Sequence, residues 1–272
     1  MTEKEEKLKE KKNIGKRSRV LEENTKFKMF VHYRTRGLII KKENRGEADQ
    51  LFTVFTRDYG KIEILGKAVR KISSKLKSGA EIFYLSEVEF IQAKTYKTLT
   101  DAVPVRKFKN IGKDLKKLKV AHKISKALDS LIKGPEADEK VWHLLSDVFQ
   151  KLDNLHLAAN RLLLLYCYFL WNLLSNLGYK PHLYNCSLCQ KKLLPDNLYF
   201  NSREGGTVCQ ICFSKAKSKT GKKIDQNVIK ILRIILDKKW QTLLKLKISS
   251  EQEKLLKLIS QSYLRSVLES VK

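Results

Sequence analysis

The hydrophobic pattern of this chain changes its period near residue 110, and that change divides the molecule. Ahead of it apolar residues alternate, as they do on a half-buried strand. Beyond it they recur every three or four residues, as on one face of a helix. The run from Phe30 to Ile40 alternates and ends apolar, and Ala48 to Thr56 is rich in Leu, Phe, Val and Thr. Asp58-Tyr59-Gly60 marks a turn, Lys61 to Leu65 alternates cleanly, and Ile82 to Ile91 and Tyr96 to Thr100 complete the set. Five short strands with turn residues between them predict a small Greek-key barrel of the OB type over residues 29–104. Periodicity alone equally permits an SH3-like barrel.

The second half, residues 105–272, reads as helical. Leu115, Leu118, Val120, Ala121, Ile124, Leu128 and Leu131 lie near one stripe, and Gly134-Pro135 stops that helix. A second helix runs from about Asp138 to Leu152. A third, from about His156 to Leu177, is apolar on nearly all sides and is expected at the centre of the bundle. After a Lys/Ser/Gly linker at 215–223, Asp225 caps a helix through Leu236. Ser250 with Glu253 forms a capping box for the last helix. The expected class is α+β and multidomain, a barrel followed by a helical domain.

Within the helical half, residues 183–214 carry two CxxC pairs, Cys186/Cys189 and Cys209/Cys212, with nineteen residues between them. Each pair sets two thiols on one side of a tight turn. The stretch between reads as a hairpin: Leu198-Tyr199-Phe200 out, Ser202 to Gly206 as the turn, Thr207-Val208 back. Four thiolates converging on one ion suit a single structural Zn²⁺ with no open position for catalytic water. Two redox dithiols are the alternative. His182, just ahead of the first pair, is a possible substitute ligand or a solvated histidine. Cys167 lies in the apolar third helix and reads as a core thiol. Nothing in the pattern requires disulfides, and no secretory signal is present, so a reducing cytoplasmic setting is expected.

The formal net charge is +27, which favours a polyanionic partner. Its distribution is uneven. Residues 29–102 carry +5, 103–134 carry +8, 135–212 are neutral and 213–272 carry +10. Residues 1–28 mix Lys and Glu with few large apolar groups and are expected to be a disordered leader, which leaves Met1 or Met29 as the start. No run is long and apolar enough to span a bilayer. The segment from Gly66 to Lys77 holds five positive charges and no acid: Lys67, Arg70, Lys71, Lys75 and Lys77. Such a loop between barrel strands can follow a phosphate backbone while aromatics stack on bases. Tyr33, Phe52, Phe55, Tyr59 and Tyr96 are the nearby rings, each more readily explained as core. A solvated charge run is the bland alternative for the loop itself.

Enzymatic motifs are missing. Gly60 to Lys67 falls short of a phosphate loop, since Ala68 stands where the magnesium-binding hydroxyl belongs. There is no HExxH, GxSxG, dinucleotide fingerprint or deaminase pattern. The acidic residues are scattered rather than gathered for Mg²⁺.

Taken in order, Tyr33-Arg34-Thr35-Arg36-Gly37, Gly46-Glu47-Ala48-Asp49, Thr53-Val54-Phe55-Thr56, Tyr59-Gly60-Lys61, Gly66 to Lys71 and the paired CxxC knuckles resemble the bacterial recombination mediators of the RecO family. The resemblance covers residues 30 to about 270. It implies an OB domain, a helical domain with a zinc insertion, and a non-enzymatic role in DNA repair. It further implies binding of single- and double-stranded DNA, annealing of complementary strands, and loading of RecA with RecR onto gapped DNA coated by single-strand-binding protein. It carries Lys67, Arg70 and Lys71 over as DNA contacts, to which Arg34, Lys75 and Lys77 are added as candidates, and it places the work at the nucleoid. An RNA-binding or ribosome-associated zinc protein is the competing reading. An adaptor for an acidic protein tail is another.

Overall fold

A computed structural model describes residues 31–92, 95–154, 157–195, 197–216 and 220–271. The charged leader and Met29 lie outside the described residues. Five strands close a barrel: β1 (His32–Arg45), β2 (Asp49–Thr56), β3 (Gly60–Gly66), β4 (Leu85–Gln92) and β5 (Lys97–Arg106). Around the barrel the order is β1-β2-β3-β5-β4. All pairings are antiparallel except β3 with β5, which meet in parallel at Ile64–Lys97 and Leu65–Thr98. That order and closure decide for the OB type over an SH3-like barrel.

Both sides of β1 and β2 are covered, which is why their apolar residues run together instead of alternating. Ile39, Phe52 and Val54 enter the barrel core with Ile62, Ile64, Val88 and Phe90. Leu38, Ile40 and Phe55 belong to the second core, shared with the helices. Phe55 stacks on Trp142 with ring centroids 6.4 Å apart. Thus the barrel has an interior of its own and one wall fused to the helical domain.

At that seam, Gly60 turns with φ +58°, and a Cβ there would stand 2.1 Å from the carbonyl oxygen of Glu136. Only glycine satisfies both demands. Beside it the Lys61 ammonium donates to the Asp129 carbonyl at 2.8 Å and pairs with the Asp129 carboxylate at 3.0 Å.

The last barrel strand continues to Arg106, beyond the expected end at Thr100. Pro104 and the register shift opposite Glu89/Phe90 break the alternation there, and Val103 and Val105 face solvent.

The helical domain comprises α1 (Lys109–Lys113), α2 (Leu115–Leu131), α3 (Glu139–Asn154), α4 (Ala159–Asn176), α5 (Gln210–Lys215), α6 (Gln226–Leu236), α7 (Trp240–Lys245) and α8 (Ser250–Ser270). Asp114 caps α2 by accepting from the Lys116 and Lys117 amides, and Asp225 caps α6 through Asn227. The capping box of α8 is one residue earlier than expected. Ser249 accepts from the Gln252 amide at 3.3 Å, and Gln252 reaches back to the Ser249 amide at 3.1 Å. Adjacent serines each have a Glu or Gln three residues on, so the pattern alone could not choose between them. Helix α7 went unpredicted because six residues are too few to show a period.

As expected, α4 is the centre, packing on α2 and α3 and on α6 and α8. Its Trp171 is fully buried, stacks on Tyr263 and donates its indole N–H to Ser260 at 2.9 Å. Cys167 is a core thiol, held up at about 12 by burial.

Candidate nucleic-acid interface and metal centre

The predicted hairpin between the two CxxC pairs is present as β6 (Tyr199–Asn201) and β7 (Gly206–Val208), and β8 (Lys222–Lys223) adds to β6. Its return strand lies against the His182 backbone: the Thr207 amide donates to the His182 carbonyl at 2.8 Å. A Cβ on Gly206 would come within 2.5 Å of that same carbonyl oxygen. The hairpin therefore seats the second cysteine pair against the first. The sulfurs of Cys186, Cys189, Cys209 and Cys212 all lie within 4.8 Å of one another. In a tetrahedron with metal–sulfur bonds of about 2.3 Å the sulfur–sulfur edges are about 3.8 Å, and Cys189 and Cys209 stand 3.9 Å apart. His182 contributes backbone bonds and does not join the cluster.

The thiols have unlike acidities. Burial pushes Cys186 up, but amide N–H groups of Cys189, Cys209 and Leu188 aim at its sulfur and bring it down to about 6. Cys212 is driven to about 12 by burial and by the other three thiols. Four thiolates this close repel one another, and a bound divalent cation removes that penalty. The donor set and spacing fit a metal ion.

On the barrel, the basic segment forms the connection from β3 to β4. It is pinned at its root: Ala68 takes φ +53°, its amide donates to the Asp49 carboxylate at 2.8 Å, and Val69 inserts into the barrel core. A 3₁₀ turn at Lys75–Ser78 closes it. Lys67, Arg70, Lys71, Lys75 and Lys77 are all exposed. None of the five has a carboxylate within ion-pair distance among the described residues. Arg34 differs: on β1 it pairs with Glu87 of β4 at 3.1 Å. Of the five rings, Phe52 and Phe55 are buried and closed to any base. Tyr33 and Tyr59 pack with Phe90, 5.4 and 5.8 Å between centroids. Tyr96 is the exposed one.

Counting charge by segment missed what the fold brings together. Lys116, Lys119 and Lys123 of α2 meet Lys254 and Lys257 of α8 around a groove of about 430 Å³ floored by Leu162, Leu163 and Tyr166 of α4. The basic segments 103–134 and 213–272 are therefore joined on one surface, not separated by the neutral centre. The spacing of lysines 116, 119 and 123 along one helix face was the available signal.

The family comparison follows the same division. Residues 29–108 match the family model described as Recombination protein O N terminal, and residues 112–272 match Recombination protein O C terminal. The chain belongs to the RecO family. The DNA repair protein RecO of Dehalococcoides mccartyi strain 195 is 33% identical over 237 residues, covering 87% of this chain and 91% of that one. Those of Caldanaerobacter subterraneus and Acetivibrio thermocellus are 29% and 28% identical, covering 87% and 88% of this chain and 93% and 92% of theirs. As in the sequence reading, no helix among the described residues of this RecO-family chain is long and apolar enough to cross a membrane.

Proposed function

We propose that this chain is a non-enzymatic DNA-repair mediator of the cytoplasm, working at the nucleoid. It binds single- and double-stranded DNA, anneals complementary strands and, with RecR, helps load RecA onto gapped DNA coated by single-strand-binding protein. The observation that carries the reading is the OB-type barrel of a RecO-family chain presenting on one pinned loop five exposed cations that have no ion-pair partner among the described residues. Lys67, Arg70, Lys71, Lys75 and Lys77 are assigned to the DNA backbone. Exposed, unpaired cations release counterions when phosphates replace them, and that release drives binding without sequence preference. Annealing requires two polyanions to be screened together, which the loop and the groove between α2 and α8 favour.

The metal is assigned as one structural Zn²⁺, because four sulfur donors fill a tetrahedron and leave no place for a reacting water. Bound zinc supplies cross-linking of the hairpin and no chemistry. Cys186, Cys189, Cys209 and Cys212 would hold it.

The test is annealing of complementary strands without nucleotide, on bare and protein-coated DNA, against polylysine of matched charge. The chain is expected to surpass polylysine on coated strands. Failure on both substrates overturns the assignment. Tighter binding of RNA than of matched DNA would favour the RNA-binding reading instead.

A further inference from the structure

The turn of the cysteine hairpin and the last turns of α8 flank an open cavity of about 240 Å³. Its wall is basic: Arg203 from the hairpin turn, Lys222 from β8 and Arg265 from α8, against the single carboxylate of Glu269. None of the three cations has an ion-pair partner among the described residues. Between them stand hydroxyls. Ser202 and Ser262 share one hydrogen bond, Oγ to Oγ, at 2.9 Å. One proton serves that bond, so the other hydroxyl proton of the pair is left to donate elsewhere. Ser266 donates to the Ser202 carbonyl at 3.2 Å and locks the turn to the helix.

The cavity is rigid where it needs to be. The Asn201 side chain accepts from the Arg203 amide at 3.0 Å and so sets the turn that carries the guanidinium. Beneath it Phe200 and Tyr263 pack edge to face, 5.7 Å between centroids. Ser262, Arg265, Ser266 and Glu269 follow the three-and-four spacing of one helix face.

Guanidinium groups, an ammonium and a spare hydroxyl proton around a small concavity are the donor set for a tetrahedral phosphate oxyanion. We infer that this cavity binds a backbone phosphate of a nucleic-acid strand, at a site separate from the barrel loop. In the packing order the barrel contacts α2, and α4 lies between α2 and α8. The loop and the cavity are thus carried by different parts of the fold, the barrel and the hairpin with α8, and the oligomer count below decides whether they hold separate strands. The inference rests on the proposed function and names a place for the second strand.

The experiment counts strands. A fluorescent thymidine oligomer of about twelve nucleotides, within the span an OB fold covers, is titrated at low salt into the zinc-loaded full chain. The wild type is expected to bind more than one oligomer per chain. R203A/R265A is expected to lose one oligomer, to retain its zinc and its melting temperature, and to anneal roughly tenfold more slowly. K222A, which leaves hairpin turn and helix untouched, is expected to weaken the same phase. If R203A/R265A binds as many oligomers as the wild type, or the wild type binds only one, the inference is overturned. Inorganic phosphate is titrated in parallel. Phosphate occupying the cavity without displacing any oligomer makes it a small-anion site and likewise overturns the inference. Should the wild type bind DNA and fail to anneal, the proposed function falls while the oligomer count still decides on the cavity.

Discussion

The barrel and the cysteine hairpin each present positive charge, but they are held up by different means. The barrel closes on itself around Ile39, Phe52, Val54, Ile64 and Phe90, and its loop is pinned to that core by Val69 and to Asp49 by a backbone bond. The hairpin has strands of three residues and a two-residue partner. Its buried Phe200 and Leu198 belong to the helical core rather than to a core of its own. Charge on the first scaffold can be removed without touching the fold. The second scaffold gathers four cysteines at its base, and with the proposed metal bound it would hold its charges through that cross-link rather than through a core of its own.

The sharpest break in that comparison comes from the metal. Cys209→Ser removes one of the four cysteines proposed to hold zinc and would expose the remaining thiols to water and oxidation. Metal-binding free energy in such an element is folding free energy, on the order of several kcal/mol in this context. The expected result is loss of bound zinc and a lower first transition on melting, with the barrel transition retained. Elemental analysis that finds no metal in wild-type protein purified without chelator would remove the basis for the whole contrast.

Next in size is the seam between barrel and helices. Phe55→Ala deletes a fully buried ring that stacks on Trp142. A loss of about 3–5 kcal/mol is expected, as for other aromatic-to-alanine changes in cores. Denaturant unfolding followed separately by tryptophan fluorescence and circular dichroism measures it. A loss below about 1 kcal/mol would show the two domains to be energetically independent.

How far the sequence reached differed along the same line. The five barrel strands, the buried α4 and the hairpin were legible because alternation, unbroken apolarity and cysteine spacing are local signals. Phe52 and Phe55 were ambiguous as stacking rings because burial on both faces of β2 erases the alternation that tells inside from outside. The spacing of Lys116, Lys119 and Lys123 marked one basic helix face, but their convergence with Lys254 and Lys257, and that of Arg203 with Arg265, had no local signal. Those pairs are distant in sequence, and only packing of α8 on α4 and of the hairpin on α8 brings them together. The capping box slipped by one residue because Ser249 and Ser250 carry the same signature.

On the barrel side the effects are on affinity, not on stability. Removing both charges in R70A/K71A is expected to weaken single-strand binding regardless of sequence. It should also flatten the salt dependence by about 1.4 in log–log slope, two phosphates' worth at about 0.7 each. The melting temperature should stay within a degree or two, since exposed side chains away from packing contribute within about ±0.5 kcal/mol. Unchanged affinity and slope would mean that the loop is a solvated face and would shift the interface to the groove between α2 and α8.

The smallest effect sharpens the comparison within the barrel itself. Arg34 and Lys71 carry equal charge and are both exposed, but Arg34 is paired with Glu87 at 3.1 Å and Lys71 has no carboxylate partner among the described residues. To contact a phosphate, Arg34 must share its guanidinium with that carboxylate or release it. Either course offsets the counterion release that drives binding, and the neighbouring negative charge also repels the strand. Arg34→Ala is therefore expected to lower single-strand affinity less than threefold, against a larger loss for Lys71→Ala at the same salt. Glu87→Gln should do the opposite and raise affinity modestly by freeing Arg34. Equal losses for Arg34→Ala and Lys71→Ala would show that net charge of the barrel, rather than unpaired cations on the loop, sets its hold on DNA.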